Sequence, residues 1–444
     1  MWVSMIRSVS EIAEALGVEC GTCARVETFQ IDSRLVTQGS LFFALKGGRT
    51  DGHQFLRQAK ENGAVAAVVE RGYAGEDFGL ILLPVDSVLD ALQGLAKRDL
   101  EKSKARVIGV TGSVGKTMTK EFVFALLRGN VKVGKSPKSY NTKLTLPLSI
   151  LNREGNEEWL VLEMGMEEPG DIGRLVAIAP PEIAILTGVA MAHSAFFPGG
   201  LSEIAKNKGE IFASPRLQAA IFPEELTFSE ALFFAPPEKR VTYSLEKREA
   251  DYFFSSQSMD EKGVRACELF FPFQERHIRQ NLLAAIAVAR KLGVEWEVIK
   301  KRMGDLTLPK MRFERFEQDG VIYINDAYNA NPASMRAAFE SVAAIKISGK
   351  KIAVLGEMTP LGTFSEECHL EVGRSAIPIF DHLLAMGEEV PPLVESFQES
   401  QKPAELFFDH KALAERLKML VSRGDLVLVK GSRSIALEQI FLFL

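Results

Sequence analysis

The chain contains few cysteines, and their spacing excludes two kinds of site. Four cysteines in 444 residues are too few for the disulfide framework of a small secreted domain. Cys20 and Cys23 form a C-x-x-C pair, but a zinc site would need two more ligands at comparable spacing. Cys267 and Cys368 stand alone and far away. We therefore expect a turn that carries two reduced thiols.

Long apolar runs and an excess of positive charge are also missing. No window approaches the ~18 apolar residues of a membrane span. Residues 1–18 form an amphipathic pattern with glutamates and lack the apolar core of a signal peptide. The net charge of −5 gives no electrostatic reason to expect a nucleic-acid partner. We predict a cytoplasmic, monomeric protein that acts on small molecules.

The length of the chain exceeds one hydrophobic core, because single cores stop growing at roughly 250 to 300 residues. Three segments differ in pattern, with predicted boundaries at 1–104, 105–311 and 312–444. The first contains short apolar runs joined by glycines, and the polar run 97–106 at its end predicts a linker.

The second and third segments alternate apolar runs with helix-length stretches. Residues 106–110 run into a glycine-rich loop, residues 120–129 follow with helical spacing, and 159–165 and 182–189 are further buried-strand candidates. After residue 311 the rhythm restarts with apolar runs that end in Gly, Asp or Glu. We predict an α/β fold with a small N-terminal α/β domain, a central P-loop-type parallel sheet and a C-terminal Rossmann-like doubly wound domain.

The stretch "VIGVTGSVGKTMTKE", residues 107–121, departs from the strict phosphate-binding loop G-x-x-x-x-G-K-[ST] because Val110 occupies the first glycine position. A strand still precedes the loop and a helix follows it, so backbone N–H groups can converge on phosphate. Lys116 can reach the outer phosphates and Thr117 can bind Mg²⁺. The alternative is a glycine-rich turn with an accidental Lys-Thr. The predicted ATP contacts here are Gly112, Ser113, Val114, Gly115, Lys116, Thr117 and Met118.

The same loop resembles the TGxxGKTxxK loop of the Mur ligases, the ATP-dependent amide ligases of peptidoglycan synthesis, and the similarity extends over nearly the whole chain. It implies that ATP phosphorylates a carboxylate and that an amine attacks the acyl phosphate. "DAYNANPAS", residues 326–334, is similar to the signature of members that add D-alanyl-D-alanine to UDP-N-acetylmuramoyl-tripeptide, which implies these two substrates. Taken alone, the stretch could be an Asn-rich turn that ends in a helix N-cap.

The resemblance also implies two Mg²⁺ sites. Glu163, which follows an apolar strand, would share one magnesium with Thr117, and His193 would bind a second. Lys208 matches a family lysine that carbon dioxide carbamylates, a reaction that needs a neutral amine and hence a lowered pKa. With Lys116, these three residues are the implied catalytic set. The alternatives are a solvated strand-end carboxylate, an ordinary histidine and a charged helical face.

The remaining implied contacts fall into three groups. Asn281, Arg312 and Asp326 would bind the nucleotide, with Asn281 at the adenine, unless that residue is a helix N-cap. In the first domain, "LFFALKGGRTDGHQF" and "IDSR" would hold the UDP-sugar, unless they form a structural hairpin; the residues are Ser33, Arg34, Lys46, Asp51, Gly52 and His53. Further predicted substrate contacts are Asn141, Tyr328, Asn329, Asn331, Lys430 and Arg433.

Several positions depart from the family motifs: Ser139, Thr142, Gly188, Ala195 and Ile278. Two alternative functions remain, and these departures bear on the second of them. One is a different member of the superfamily that adds a single amino acid to a UDP-muramoyl acceptor, or glutamate to folate. The other is a P-loop binding or switch module without ligase activity.

Overall fold

Three β-sheets dominated by parallel pairing organise the chain in the computed structural model. The residues that it describes are 7–48, 50–191, 194–254, 258–260, 263–266 and 269–444. Each sheet belongs to one domain of an α/β fold, so the predicted fold class is confirmed. Of the helices in these ranges, none is long and apolar enough to cross a membrane.

The first domain contains a four-stranded parallel sheet in the order β3-β4-β5-β6 and a small antiparallel pair, β1-β2. Its elements are β1 (Arg7–Ser8), α1 (Val9–Leu16), β2 (Arg25–Val26), β3 (Thr28–Gln30), β4 (Ser40–Phe43), α2 (Leu56–Glu61), β5 (Ala64–Glu70), β6 (Ile81–Val85) and α3 (Val88–Lys102). Cys20 and Cys23 lie in the irregular connection between α1 and β2.

The linker predicted at 97–106 is wrong for most of its length, because helix α3 continues through it to Lys102. Leu100 is buried, and Asp99 forms a buried ion pair with Arg153 of the central domain. The run looks polar because an amphipathic helix shows only one apolar stripe. α3 thus packs the first domain against the central one instead of joining them loosely.

The central domain contains a seven-stranded sheet in the order β13-β12-β11-β10-β7-β9-β8, with parallel pairing throughout. A small antiparallel sheet, β14-β15-β16, accompanies it. The elements are β7 (Arg106–Thr111), α4 (Lys116–Leu127), β8 (Val133–Lys135), α5 (Thr145–Leu151), β9 (Trp159–Glu163), α6 (Asp171–Ile178), β10 (Ile183–Leu186), α7 (Gly200–Gly209), β11 (Ala219–Pro223), β12 (Arg240–Ser244), β13 (Tyr252–Phe253), β14 (Ser258–Asp260), β15 (Gly263–Ala266), β16 (Leu269–Phe271), α8 (Arg276–Lys291) and α9 (Trp296–Met303).

Alternating side chains of the central strands enter two different hydrophobic clusters. Ile108 and Val161 belong to the cluster on the α4 and α8 face, whereas Val107 and Leu160 belong to the cluster on the other face. Successive strand residues point to opposite faces, so a sheet covered on both sides requires continuous apolar runs. This is why the runs predicted at 106–110 and 159–165 are indeed strands.

The third domain contains a six-stranded sheet in the order β17-β18-β22-β19-β20-β21, with antiparallel pairing between β17 and β18 and parallel pairing elsewhere. The predicted doubly wound sheet is confirmed. Its elements are β17 (Glu314–Gln318), β18 (Val321–Asn325), α10 (Pro332–Ala344), β19 (Lys351–Gly356), α11 (Ser365–Ala376), β20 (His382–Met386), α12 (Pro391–Glu399), β21 (Ala404–Phe407), α13 (His410–Leu420) and β22 (Leu426–Lys430).

The central and third domains share one hydrophobic cluster. It runs from Phe122 on α4 through Leu283 on α8 to Met335 and Phe339 on α10. Residues at or directly after the carboxyl ends of β7, β9, β18 and β22 line a common cavity between the two domains. In open parallel sheets, ligands bind outside the carboxyl ends of the strands, so the crevice between the two domains is the place to look for a site.

Candidate functional site

The loop between β7 and α4 requires glycine at two positions. Gly112 and Gly115 have φ values of 145° and 85°, which side-chain-bearing residues rarely adopt. A Cβ atom on Gly112 would lie 1.9 Å from Thr187 Oγ1, and one on Gly115 would lie 2.3 Å from Asn281 Oδ1. α4 begins directly at Lys116, so the unpaired N–H groups of its first turn face the crevice and can bind an anion.

Val110, which replaces the first glycine of the strict motif, is an ordinary strand residue. It is buried in β7, opposite Glu163 of β9 in the parallel register, and its carbonyl accepts a hydrogen bond from Met164 N at 2.8 Å. Strand β7 therefore continues through Val110 to Thr111, and the glycine-dependent part of the loop starts at Gly112.

Beneath the loop, oxygen and nitrogen atoms converge on Glu163, which is 1% exposed. Thr117 Oγ1 donates to Glu163 Oε2 at 2.8 Å, and Asn141 Nδ2 donates to Glu163 Oε1 at 2.7 Å. Ser139 Oγ lies 3.0 Å from Thr117 Oγ1. Ser139 is one of the departures from the family motif. The structure places it inside the site, where its hydroxyl contacts the predicted metal ligand Thr117 directly.

Two predicted lysines belong to the same group of side chains. Lys116 Nζ donates to Gly112 O at 2.7 Å, and burial lowers the pKa of Lys116, while the charge of Glu163 opposes this shift. Lys208 is 2% exposed. Burial, reinforced by the positive charge of Lys116, holds the pKa of Lys208 well below its ordinary value. In the part of the chain that the structure describes, Lys208 has no ion-pair partner.

The third domain contacts the loop directly. Arg312 Nη2 donates to Thr117 Oγ1 at 3.2 Å. The guanidinium carbon of Arg312 also lies 3.9 Å from the ring centre of Tyr328, a cation–π distance. Arg312 therefore connects the first turn of α4 to the 326–331 turn.

Asn331 joins the start of α10 to the same loop. Its Oδ1 accepts from Ser334 N at 2.9 Å, which caps the helix, and Pro332 occupies the first helical position. Its Nδ2 donates to Ser113 O at 3.3 Å. The Asn-rich turn with an N-cap, considered above as a plain structural alternative, is present, but it also forms a wall of the crevice.

Lys430 is buried at the end of β22 and is already engaged. Its Nζ donates to Asp326 Oδ2 at 2.6 Å and to Asn329 O at 3.0 Å. Burial lowers the pKa of Lys430, and the Asp326 carboxylate opposes the shift. Arg433 is exposed. The contacts of Lys430 thus hold the 326–329 turn in place. That Lys430 and Arg433 receive a substrate carboxylate stays a prediction.

Two neighbouring cavities open at this crevice. The first, which we call the loop cavity, has a volume of about 290 Å³, and the second, the adjoining cavity, about 680 Å³. Both are lined by Ser113, Val114, His277 and Asn281. The loop cavity brings together these predicted residues: Gly112, Ser113, Val114, Gly115, Lys116, Thr117, Met118, Asn141, Glu163, Lys208, Asn281, Arg312, Asp326, Tyr328, Asn329, Asn331, Lys430 and Arg433.

Asn281 lies inside helix α8 and not at its start, so the N-cap alternative for it is wrong. His277, one turn earlier, lines both cavities, and its Nδ1 lies 3.3 Å from Ser341 Oγ. Burial lowers the pKa of His277 to about 4. Thr187, which donates to Val114 O, is not among the residues predicted from the sequence. Its position directly after an apolar strand was the available signal.

His193 lies outside the described residues, but the segment that leads to it is fixed by the loop. Ser113 N donates to Gly188 O at 3.0 Å, and Ser113 Oγ lies within 2.9 Å of both the nitrogen and the oxygen of Ala190. Gly188 has a φ of 154°, which residues with a side chain rarely adopt. The glycine that replaces the family's Asn therefore allows the backbone of this segment to take its observed conformation.

The predicted first-domain residues form a separate group that lines neither cavity. His53 Nε2 accepts from Glu70 N at 3.0 Å, and its Nδ1 lies 2.6 Å from Asp51 Oδ1. A Cβ atom on Gly52 would approach the backbone of Leu45 to 2.5 Å. These contacts explain the motif as a packed turn. The substrate roles of Ser33, Arg34, Lys46, Asp51, Gly52 and His53 stay predictions.

Oxygen donors of Thr117 and Glu163 suit Mg²⁺, which prefers carboxylate and hydroxyl oxygens together with water and substrate phosphates. Within the described residues there is no cluster of three or more His, Cys, Asp or Glu that could cage a metal without such help. The residues present therefore fit a magnesium ion that arrives with a nucleotide. A glycine loop on a parallel sheet, facing a second α/β domain, defines a nucleotide-binding protein of the P-loop class.

Sequence models of one family match most of the chain. They are "Mur ligase family, catalytic domain" at residues 25–99, "Mur ligase middle domain" at 110–289 and "Mur ligase, glutamate ligase domain" at 311–433. The chain belongs to the Mur ligase family, and the resemblance predicted from its motifs is confirmed.

Individual relatives are similar along nearly their whole length. The UDP-N-acetylmuramoyl-tripeptide--D-alanyl-D-alanine ligase of Bacillus subtilis is 34% identical, covering 98% of this chain and 97% of its own; the Escherichia coli enzyme of the same name is 30% identical with the same coverage. Among solved structures, MurF from Acinetobacter baumannii matches with a TM-score of 0.86 at 26% identity, covering 98% of both chains. MurF ligase from Thermotoga maritima in complex with ADP matches with a TM-score of 0.80 at 32% identity, covering 94% of this chain and 96% of its own.

Proposed function

We propose that this chain is an ATP-dependent ligase that joins D-alanyl-D-alanine to UDP-N-acetylmuramoyl-tripeptide. The products are UDP-N-acetylmuramoyl-pentapeptide, ADP and phosphate, and the reaction is a step of peptidoglycan precursor synthesis. The observation that carries the proposal is the convergence of the glycine loop, Glu163 and the 326–331 turn on one cavity. Full-length relatives of this name support it.

The two cavities suggest where the parts of ATP bind. The phosphates would contact the N–H groups at residues 112–118, because a helix N-terminus attracts anions. The base would enter the adjoining cavity beside Asn281, which lines both spaces. In the domain arrangement that we propose, residues 1–104 bind the UDP-sugar, 105–311 bind ATP and 312–444 complete the site.

The chain's own residues would align two anions. Phosphoryl transfer from ATP to the acceptor carboxylate forms a P–O bond and releases ADP. The neutral amine of D-alanyl-D-alanine then forms the C–N bond and releases one proton, while the C–O bond of the acyl phosphate breaks and phosphate leaves. Lys116 and Arg312 are positioned to neutralise the phosphates, since both lie within the loop cavity. Contact between the domains would exclude water from the acyl phosphate.

Thr117 and Glu163 would hold a magnesium ion, with Asn141 fixing the carboxylate. When bound, the metal supplies charge neutralisation for the phosphates. We propose a second magnesium near His193 and Lys208. In its neutral form the Lys208 amine can add to carbon dioxide, forming an N–C bond and releasing one proton, and the resulting carbamate would be an oxygen ligand. The low pKa of Lys208 supports this step.

We also propose a cytoplasmic location, where ATP is available, and a monomer, because one chain supplies both walls of the loop cavity.

The test is a ligation assay with purified protein, ATP, Mg²⁺ and UDP-N-acetylmuramoyl-tripeptide. Mass spectrometry and phosphate release should both report product with D-alanyl-D-alanine. Stimulation by single amino acids, but not by the dipeptide, would assign the chain to another branch of the family. ADP binding without product under any amine would favour a nucleotide-binding module.

A further inference from the structure

The segment 136–141, between β8 and α5, curves around Glu163 and forms one wall of the loop cavity. Two of its side chains reach the proposed metal ligands: Ser139 Oγ lies 3.0 Å from Thr117 Oγ1, and Asn141 Nδ2 donates to Glu163 at 2.7 Å. Both contacts depend on the path of the backbone between them, because Ser and Asn side chains are short.

The two ends of this segment are fixed by strand-like hydrogen bonds. Ser136 N donates to Val161 O at 3.0 Å, and Gly165 N donates to Asn141 O at 2.8 Å. A Cβ atom on Gly165 would come within 2.9 Å of Asn141 Cγ, so the segment also lies tightly against β9's continuation. These hydrogen bonds hold the two ends of the segment and do not hold its middle.

The middle is a turn with an unfavourable backbone conformation. Tyr140 N donates to Pro137 O at 3.0 Å, and Lys138, inside this turn, has a φ of 47°. A residue with a Cβ atom is disfavoured in the left-handed region and persists there only when its surroundings hold it. The side chain of Lys138 is exposed, so packing of that side chain does not hold the turn.

Lys120 supplies the missing contacts. It lies one turn after Thr117 on α4, is fully buried, and its Nζ donates to Ser136 O at 2.8 Å and to Lys138 O. Its Nζ is also 3.4 Å from Glu121 Oε1. Burial lowers the pKa of Lys120, but the charges of Glu163 and Glu121 oppose the shift. A buried ammonium that donates to one carbonyl just before a strained turn and to one within it fixes the position of that turn.

We propose that Lys120 is a positioning residue for the ligase site. It binds the carbonyls of Ser136 and Lys138 and thereby sets Ser139 and Asn141 against the proposed metal ligands. Lys120 is not among the residues that line the loop cavity, so it acts through the segment and not on substrate. The expected change in KM rests on the proposed function, whereas the expected change in hydrogen exchange at this segment is independent of it.

The experiment uses three variants of the full chain. Lys120→Met removes the ammonium but keeps much of the side-chain volume. Lys138→Ile leaves Lys120 intact and disfavours the left-handed turn through a β-branched side chain, while Lys138→Gly, the matched control, tolerates that conformation. The measurements are amide hydrogen exchange at residues 136–143, KM for UDP-N-acetylmuramoyl-tripeptide, kcat, and calorimetric affinity for ADP without magnesium.

We expect Lys120→Met to speed exchange in the segment and to raise the acceptor KM, each by about tenfold or more, as loss of a charged hydrogen bond predicts. Lys138→Ile should shift both in the same direction, and Lys138→Gly should stay within about twofold of the unaltered protein. ADP affinity should change less than about twofold in all three, since the phosphates contact the glycine loop.

Unchanged exchange and unchanged acceptor KM in Lys120→Met would overturn the proposal, as would an equal loss of ADP affinity, which indicates general damage to α4. Should Lys120→Met fail to fold, equal behaviour of Lys138→Ile and Lys138→Gly would overturn it, and a difference between them would support it. If the unaltered protein ligates nothing, the proposed function fails, and hydrogen exchange still decides the role of Lys120.

Discussion

The loop cavity and the first-domain turn at residues 45–53 both carry family motifs, but their side chains are used differently. In the turn, His53 and Asp51 are paired with each other and with backbone, and Gly52 fits against a neighbouring strand. In the loop cavity, polar side chains from two domains face an open volume. A motif can therefore mark a packed turn or the wall of a cavity. Side chains of both kinds are hydrogen-bonded, as Glu163 and Lys430 are, and the adjoining open volume distinguishes the two.

The largest expected effect comes from the carboxylate beneath the loop. Glu163→Gln removes a charge but keeps the hydrogen-bonding shape, so ligation should slow by ~100-fold or more if the carboxylate serves a metal. Magnesium-dependent tightening of ADP binding should also disappear, which calorimetry can measure. Glu158→Gln, on an exposed glutamate, is the control. Turnover within fivefold of the unaltered protein would remove Glu163 from the site.

Lys208 should separate activity from stability. Lys208→Met should abolish ligation if a carbamate is needed, yet stabilise the fold in CO₂-free buffer, because an uncompensated buried amine is replaced by an apolar group. The folded pKa of Lys208 is lowered, so the unfolded chain binds more protons and the native protein loses stability as pH falls below the unfolded pKa. In thermal melts, the difference in melting temperature between Lys208→Met and the unaltered protein should therefore shrink as the pH rises toward 10.

If the advantage of Lys208→Met is instead constant with pH, Lys208 is charged in the folded protein, and the carbamate proposal loses its support.

His277 should contribute to acid sensitivity. Its folded pKa of about 4 lies below the ordinary 6.5, so the unfolded state binds the proton first and stability is lost as pH falls from 6.5 toward 4. The loss attributable to this residue is of order 3 kcal/mol at full shift. Urea unfolding of His277→Gln between pH 4 and 8 should show a flatter profile, and an unchanged profile would contradict the burial of a neutral ring.

We expect the smallest effects from substitutions in the first domain, where a largely buried and an exposed side chain can be compared. His53→Ala should lower the free energy of unfolding by ~1–3 kcal/mol, because Glu70 N would lose its acceptor. Arg34, exposed and paired with Asp32 at 2.6 Å, gives the matched variant Arg34→Ala, which should leave the free energy of unfolding nearly unchanged because exposed ion pairs contribute little. A raised KM for the UDP-linked acceptor in Arg34→Ala would show that this domain binds it.

Local signals predicted much of the fold. The strands of the central and third sheets are continuous apolar runs because both faces are covered, and such runs are visible in sequence. The linker prediction at 97–106 failed because the contacts of this helix are made with distant residues: Leu100 lies in a hydrophobic cluster that includes central-domain side chains, and Asp99 pairs with Arg153. In the site, the glycines were predictable from the loop pattern, whereas the role of Glu163 was implied by the family resemblance and its place after an apolar strand agreed with it.

Contacts between distant segments were not predictable from single motifs. The approach of Arg312 to Thr117 depends on the relative position of two domains, and Ser139 was noted only as a departure from the motif. Its hydroxyl contact became visible once the path of the 136–141 segment was known. Lys120 was part of a quoted motif, yet its carbonyl partners lie in a different loop.

The hydrophobic cluster shared by α4, α8 and α10 bears on how the protein can be handled as fragments. A fragment that ends at residue 311 would keep Leu283 and its neighbours but lose Met335 and Phe339, leaving an apolar surface of a kind that soluble monomers rarely show. Half-molecules should therefore be recovered as aggregates, and the two halves of the site are best obtained from one uninterrupted polypeptide.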